Sequence, residues 1–198
     1  ISTAAGLKAA SLERSLTTLI DKRVVVRATP LSTAPSRESR YWVADPYLRF
    51  WLSFIGPGLP EIERGSAARV LARLQSRWLT WRGQAIEPVL RDGIERMGAS
   101  GPAGPTGVVG GYWTRSNNPQ IDLVFADRSP VASTVTGVGS IKWLEKAPFD
   151  EHDLARLIVH RSQLPGATAD TELVAVARSG FAVEGVIRVT PDDVLRSW

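Results

Sequence analysis

Leu12, Leu16, Leu19 and Ile20 recur at i, i+4, i+7 and i+8, which predicts an amphipathic helix over residues 9–21. Val24-Val25-Val26 follows as a short β-branched run, residues 30–39 are polar, and Arg40-Tyr41-Trp42-Val43 has the composition of a return strand. Helix, strand, long tip and strand make the second half of a winged helix-turn-helix, with residues 1–7 as the remains of the preceding helix and turn. Asp45-Pro46 then announces a new helix, Asp as its cap and Pro at its first position. Leu48, Trp51, Leu52 and Ile55 share one face of it, and Gly56-Pro57-Gly58 is expected to end it. Two more helices are predicted. One covers residues 61–78, with Val70, Leu71 and Leu74 apolar. The other covers residues 84–97, burying Ile86, Val89, Leu90, Ile94 and Met97.

From residue 98 the period shifts. Residues 98–111 hold six glycines and two prolines, which predicts a flexible loop. Tyr112-Trp113-Thr114 and residues 120–125 are expected to pair across a turn at Asn117-Asn118-Pro119. Residues 135–143 give the next strand and 149–164 a helix. The apolar run 173–177 suits a buried strand, residues 185–189 an edge strand, and Pro191 opens a last helix with Asp192 and Asp193 in its first turn. The order helix, β, β, β, helix, β, edge is the common core of restriction-endonuclease-like folds. The expected class is therefore α/β (α+β): a partial winged helix-turn-helix over 1–44, a helical linker over 45–80, and a restriction-endonuclease-like domain over 81–198 with a central mixed sheet flanked by helices.

Composition narrows the function classes. At 198 residues and 43% apolar content the chain can bury a core. It has no run near the ~20 apolar residues of a membrane helix, and no leader with a charged start and apolar middle. It contains no cysteine, so disulfides and thiolate metal sites are excluded, and a reducing, cytoplasmic setting is expected. Beginning at Ile1 within a helical pattern, it reads as a piece of a longer protein.

Charge is uneven. Residues 1–97 carry 15 Lys+Arg against 9 Asp+Glu, and residues 98–198 carry 9 against 11. A basic N-terminal half is the footprint expected for nucleic acid. In a winged helix, Lys8, Arg14 and Thr18 would face the DNA major groove, and Arg37 and Arg40 on the wing would touch phosphates. The competing reading is a solvated face in an arginine-rich chain, since arginine outnumbers lysine 20 to 4.

Candidate chemistry sits at Ile121-Asp122-Leu123-Val124 and Ser140-Ile141-Lys142-Trp143. An aspartate in an apolar run, then a lysine in a later strand, is the pattern with which nuclease folds seat a metal. Two carboxylates hold Mg²⁺, the metal acidifies a bound water and the lysine stabilises charge. His152 and His160, eight apart on one helix, are too far apart to share a metal. No Gly-x-x-x-x-Gly-Lys-Ser/Thr loop occurs, so ATP is not bound by that route.

Five stretches together resemble a known family. They are Arg40-Tyr41 through Asp45-Pro46-Tyr47-Leu48-Arg49-Phe50-Trp51, Arg82-Gly83-Gln84-Ala85-Ile86-Glu87, Trp113 with Gln120-Ile121-Asp122-Leu123-Val124, Ser140-Ile141-Lys142-Trp143, and Arg178-Ser179-Gly180-Phe181. In this order they resemble the C-terminal region of bacterial and archaeal AAA+ ATPases of the DUF234 type. There a winged helix follows the ATPase module and a PD-(D/E)XK nuclease-like domain ends the chain. The resemblance implies catalytic roles for Glu87, Asp122 and Lys142, with Glu87 and Asp122 as metal ligands. It also shows two departures, Ser140 where the family has Glu and Gln120 where it has another Glu. Mg²⁺ held by Asp122 and Glu87 alone is expected to be weak, and no other cofactor is expected. The leading reading is thus a nucleic-acid-binding, regulatory tail with a degenerate site. Its partners would be DNA, the N-terminal ATPase module of the same protein or another protein, and no membrane. The alternatives are a Mg²⁺-dependent DNA endonuclease using Glu87, Asp122 and Lys142, and a protein-docking scaffold without nucleic acid.

Overall fold

The computed structural model describes Gly6 and residues 8–198; the helix and turn expected over residues 1–7 otherwise lie outside the described residues. The chain divides into two compact units, Ile1–Ala28 with Ser39–Trp78, and Thr29–Glu38 with Leu79–Trp198.

In the first unit, helix α1 (Ala9–Asp21) leads into β1 (Val25–Ala28), which pairs antiparallel with β2 (Arg40–Val43) in the register Val25↔Val43 to Ala28↔Arg40. The Asp45 carboxylate caps α2 (Pro46–Phe50), accepting from the Leu48 N–H at 2.6 Å. The expected stop at Gly56 does not occur. The helix widens into a π-helical turn (Trp51–Ile55) and runs on as α3 (Gly56–Glu63). Pro57 has no N–H to offer the Ser53 carbonyl, and the Gly56 N–H donates to the Trp51 carbonyl. The glycines serve close approach. A Cβ on Gly56 would lie 2.6 Å from the Trp51 ring, and one on Gly58 would lie 2.8 Å from Val70. Phe50 packs on Phe54 and Trp78 at centroid distances of 5.4 and 6.3 Å, so this aromatic density is packing.

The break between the next helices is also displaced. It falls at Gly65, in the left-handed region at φ 76°. From there α4 runs unbroken from Ala67 to Arg96, through Gly83 and Pro88. An internal proline costs a helix about 3 kcal/mol. Burial of Leu90 and Ile94, with Ile86 packed beside them, outweighs it.

The second unit is built on a five-stranded mixed sheet in sequential order, β3 (Val108–Trp113), β4 (Gln120–Ala126), β5 (Val135–Lys142), β6 (Glu172–Ala177) and β7 (Ile187–Val189). The first three pair antiparallel and the last two join in parallel. β3 therefore takes in the last four residues of the glycine-rich stretch 98–111, which is expected as loop throughout. Helix α5 (Glu151–Gln163) forms the crossover between β5 and β6, and α6 (Pro191–Leu195) ends the chain. Both faces of the sheet are covered. Val124, Val138, Phe149 and Ala175 pack with Leu157 of α5 in one core, and Leu123, Phe125, Val174 and Val176 pack with Leu90 and Ile94 of α4 in the other. β6, buried from Leu173 to Ala177, feeds both cores, which is why its sequence is a continuous apolar run.

Residues 30–39, expected as the polar tip of a wing, are exposed at Pro35 to Arg37 but buried at their start. Leu31 is 1% exposed and belongs to the first of these cores. Its N–H donates to the Gly111 carbonyl on β3 at 2.9 Å, and Ser32 bridges to Val131. A side chain on Gly110 would collide with Leu31, so a glycine at that strand position makes room for the docked loop.

Candidate functional site

β4 carries one residue more than β3 between the pairs Tyr112↔Ile121 and Gly110↔Val124, so Asp122 and Leu123 oppose Gly111 alone. This bulge puts Ile121 in one core with Val124, and Leu123 in the other with Phe125. Bulges re-aim side chains and open the local ladder, and here the freed backbone is used. Arg91 of α4 donates from Nε to the Asp122 carbonyl at 2.9 Å and from Nη2 to the Glu87 carboxylate at 3.0 Å. The absence of a side chain at Gly111 lets the guanidinium approach, since a Cβ there would lie 3.0 Å from Arg91 Nη2.

The Asp122 side chain turns to β5. Its Oδ2 accepts from the Ser140 hydroxyl at 3.1 Å and from the Ile141 N–H at 2.9 Å. Lys142, two residues along, is engaged elsewhere. Its ammonium donates to Asp150 Oδ2 at 3.2 Å and forms a short contact with Asp153 Oδ2. Asp150 and Asp153 are the cap and third residue of α5, joined in a reciprocal capping box, and Arg156 adds a further ion pair to Asp153. Glu87, Asp122 and Ser140 are thus linked through Arg91 and β5, while Lys142 is tied to the start of α5. Among the described residues, no group of three or more His, Cys, Asp or Glu side chains is arranged to hold a metal ion.

Arg91, Asp150 and Asp153 were not singled out from sequence. The Glu87/Arg91 spacing of four on a helix and the Asp-x-x-Asp ahead of an apolar helical pattern were the available signals.

His160, half-buried on α5, has its pKa pushed below 6.5, first by burial and then by the Arg156 charge, with Asp122 opposing. The unfolded chain therefore takes up this proton before the folded one as pH falls. Stability at this group is complete above 6.5 and declines as pH drops through 6.5 towards the folded value. Urea midpoints measured across about one pH unit either side of 6.5 are expected to fall less steeply on the acid side in His160→Gln than in the wild type. Equal slopes would remove His160 as the cause.

Lys8, at the N-cap of α1, and Arg14 and Thr18 on the helix are exposed, the Thr18 hydroxyl donating back to the Arg14 carbonyl at 3.0 Å. Arg40 lies half-buried on β2 in the same unit, whereas Arg37 is exposed on the loop that belongs to the second unit. The first unit carries 11 Lys+Arg against 5 Asp+Glu. No helix among the described residues is long and apolar enough to cross a membrane.

The DUF234 family model, described as archaea bacterial proteins of unknown function, matches residues 51–153. No curated protein and no solved structure matches. The matched stretch runs from the π-helical turn through the bulge to Asp153, and so contains the whole Glu87–Arg91–Asp122–Ser140 network and the aspartates that engage Lys142. With more than half of its length matched, this chain belongs to the DUF234 family.

Proposed function

We propose that this chain is a nucleic-acid-binding, regulatory region of an AAA+ ATPase, in which a nuclease-like site has become structural. The observation that carries the reading is the engagement of Asp122 and Lys142. Mg²⁺ needs hard, anionic oxygens free to face it. Here two donors point at Asp122 Oδ2 and a guanidinium sits on Glu87. Ser140 supplies a hydroxyl where a second anionic ligand would stand. This donor set does not fit Mg²⁺. The mixed sheet order, with α4 before it and α5 as the crossover, supports the restriction-endonuclease-like assignment. The helix and strand pair of the first unit support the winged-helix assignment. The basic balance of that unit, with Lys8 exposed at the N-cap of α1 and Arg14 and Thr18 exposed on it, supports contact with DNA phosphates.

The test is a labelled duplex titrated at several salt concentrations, with and without Mg²⁺ or Mn²⁺. Affinity is expected to fall steeply with salt, as counterion release requires. The duplex should remain intact, and Asp122→Ala should bind it as the wild type does. Metal-dependent cutting that vanishes in Asp122→Ala would replace this reading with the endonuclease. Salt-independent or absent binding would replace it with a docking scaffold.

A further inference from the structure

Arg82 and Arg178, each in one of the stretches that carry the family resemblance, have no part in the network around Asp122, yet the fold brings them together. Lys142 at the end of β5 and Ala177 at the end of β6 are register partners in a parallel pair. Just beyond them, Arg82 of α4 and Arg178 meet one carboxylate. Arg82 Nη1 donates to Glu145 Oε1 at 2.6 Å and Arg178 Nη1 to the same oxygen at 2.9 Å. Arg82 Nη2 also reaches the Trp143 carbonyl at 3.4 Å, while its Nε is buried without a hydrogen-bond partner. The loop carrying Glu145 is held by the Ser179 hydroxyl, which donates to the Leu144 carbonyl.

Crevices outside the carboxyl ends of parallel strands are where open sheets bind ligands. Two guanidinium groups converging on one anionic oxygen is the geometry that recognises a phosphoryl group. The Glu145 carboxyl is held below its usual range by hydrogen bonds first from Arg82 and then from Arg178, so it stays anionic. Its side chain is 49% exposed on a surface loop, and an ion pair that open to water contributes little to stability. Replacement of Glu145 by an external anion therefore costs the fold little. The pair of cations also exceeds the single charge that neutralises it, and Lys146 is exposed next to it.

We propose that Arg82 and Arg178 form a phosphate subsite for a nucleic-acid phosphodiester, with Glu145 as a built-in competitor that covers it when empty. The phosphodiester source rests on the nucleic-acid reading above, whereas the phosphoryl chemistry does not.

The experiment compares Glu145→Ala with Glu184→Ala, an exposed acid elsewhere on the same unit, so that the change in net charge is matched. Glu145→Ala is expected to bind a labelled duplex about five- to tenfold more tightly than wild type, with a salt dependence steeper by about one counterion. Glu184→Ala should gain less than about twofold. The gain should vanish when Arg178→Gln is added, with folding checked by thermal melting. Should that double variant not fold, Arg178→Lys, which keeps the charge and loses the planar fork, should also lower the gain. Equal gains in both alanine variants, or a gain indifferent to residue 178, would overturn the inference while salt-dependent wild-type binding left the proposed function standing. Inorganic phosphate separates the sources. If it abolishes the gain at the phosphate concentration of the duplex, the subsite takes free phosphate and the nucleic-acid assignment is overturned. If Glu145→Ala binds inorganic phosphate and neither protein binds duplex, the subsite stands and the proposed function falls.

Discussion

Lys142→Met is expected to lower unfolding stability by about 3–5 kcal/mol, the cost of removing one member of a buried ion pair. The Asp153 side chain is 8% exposed, and Lys142, at 15%, is its innermost cation. Without it, Asp153 keeps Arg156, whose side chain is mostly in water, and the Asp150 N–H. Methionine preserves the length and apolar stem of lysine, so packing loss is small and the effect reads the charge. Adding Asp153→Asn should recover part of the loss, because the uncompensated charge is what costs most. Burial alone would lower the pKa of Lys142, but hydrogen bonds to Asp153 and Asp150 raise it above 10.5 overall. Its contribution is therefore complete below 10.5 and is lost as pH rises through the folded value, so the variant should lack that alkaline step. Urea denaturation at neutral and alkaline pH measures both. A loss under about 1 kcal/mol at neutral pH would mean the pair is no more than a surface contact.

Leu31→Ala is expected to cost about 2–5 kcal/mol, the range for truncating a leucine in a core that cannot fully collapse. The size of this effect is informative because Leu31 lies in a loop between two strands of the other unit. A wing tip in solvent would lose almost nothing. Leu31 instead fills the space left by Gly110 and completes the core shared by Val124, Val138 and Phe149. Denaturant midpoints for Leu31→Ala beside Arg37→Ala, an exposed change on the same loop, decide it. Equal, negligible shifts would contradict the docking of the loop.

That loop also shows where sequence reading stops. Local patterning places α1, β1, β2 and every strand from β4 onward within a few residues, because stripe and alternation reflect which face is buried. It cannot say that residues 30–39, in which Leu31 is the only large apolar side chain, contribute an anchor to a core formed some eighty residues later. The same limit applies to α4. The pattern breaks at residues 79–83, around Gly83, and only burial against the sheet explains one helix from Ala67 to Arg96. Asp122, Ser140 and Lys142 stand out in the sequence by spacing, yet the fold joins only Asp122 and Ser140 and ties Lys142 to α5. Their partners do not stand out, since the β4 bulge that exposes the Asp122 carbonyl to Arg91 depends on pairing with β3, and the choice of Asp153 by Lys142 depends on where α5 begins. The meeting of Arg82, Glu145 and Arg178 is not legible in the sequence, because it depends on the parallel register of β5 with β6 and on where α4 lies.

The docked loop has a further consequence for the sheet as an object in solution. A strand with open N–H and C=O groups is a template on which other chains can add, and natural sheets cover, shorten or charge such margins. β7 is kept to three residues and carries Arg188. β3 is longer, and beside it the Leu31 N–H donates to the Gly111 carbonyl, while Ser32 bridges to Val131 of the neighbouring hairpin and accepts from the Ala132 N–H. The segment that shields this margin is encoded some fifty residues before the unit it protects. A polypeptide started at residue 79 to isolate that unit would lack the shield and present a bare margin prone to self-association, so a faithful fragment has to begin upstream of Leu31.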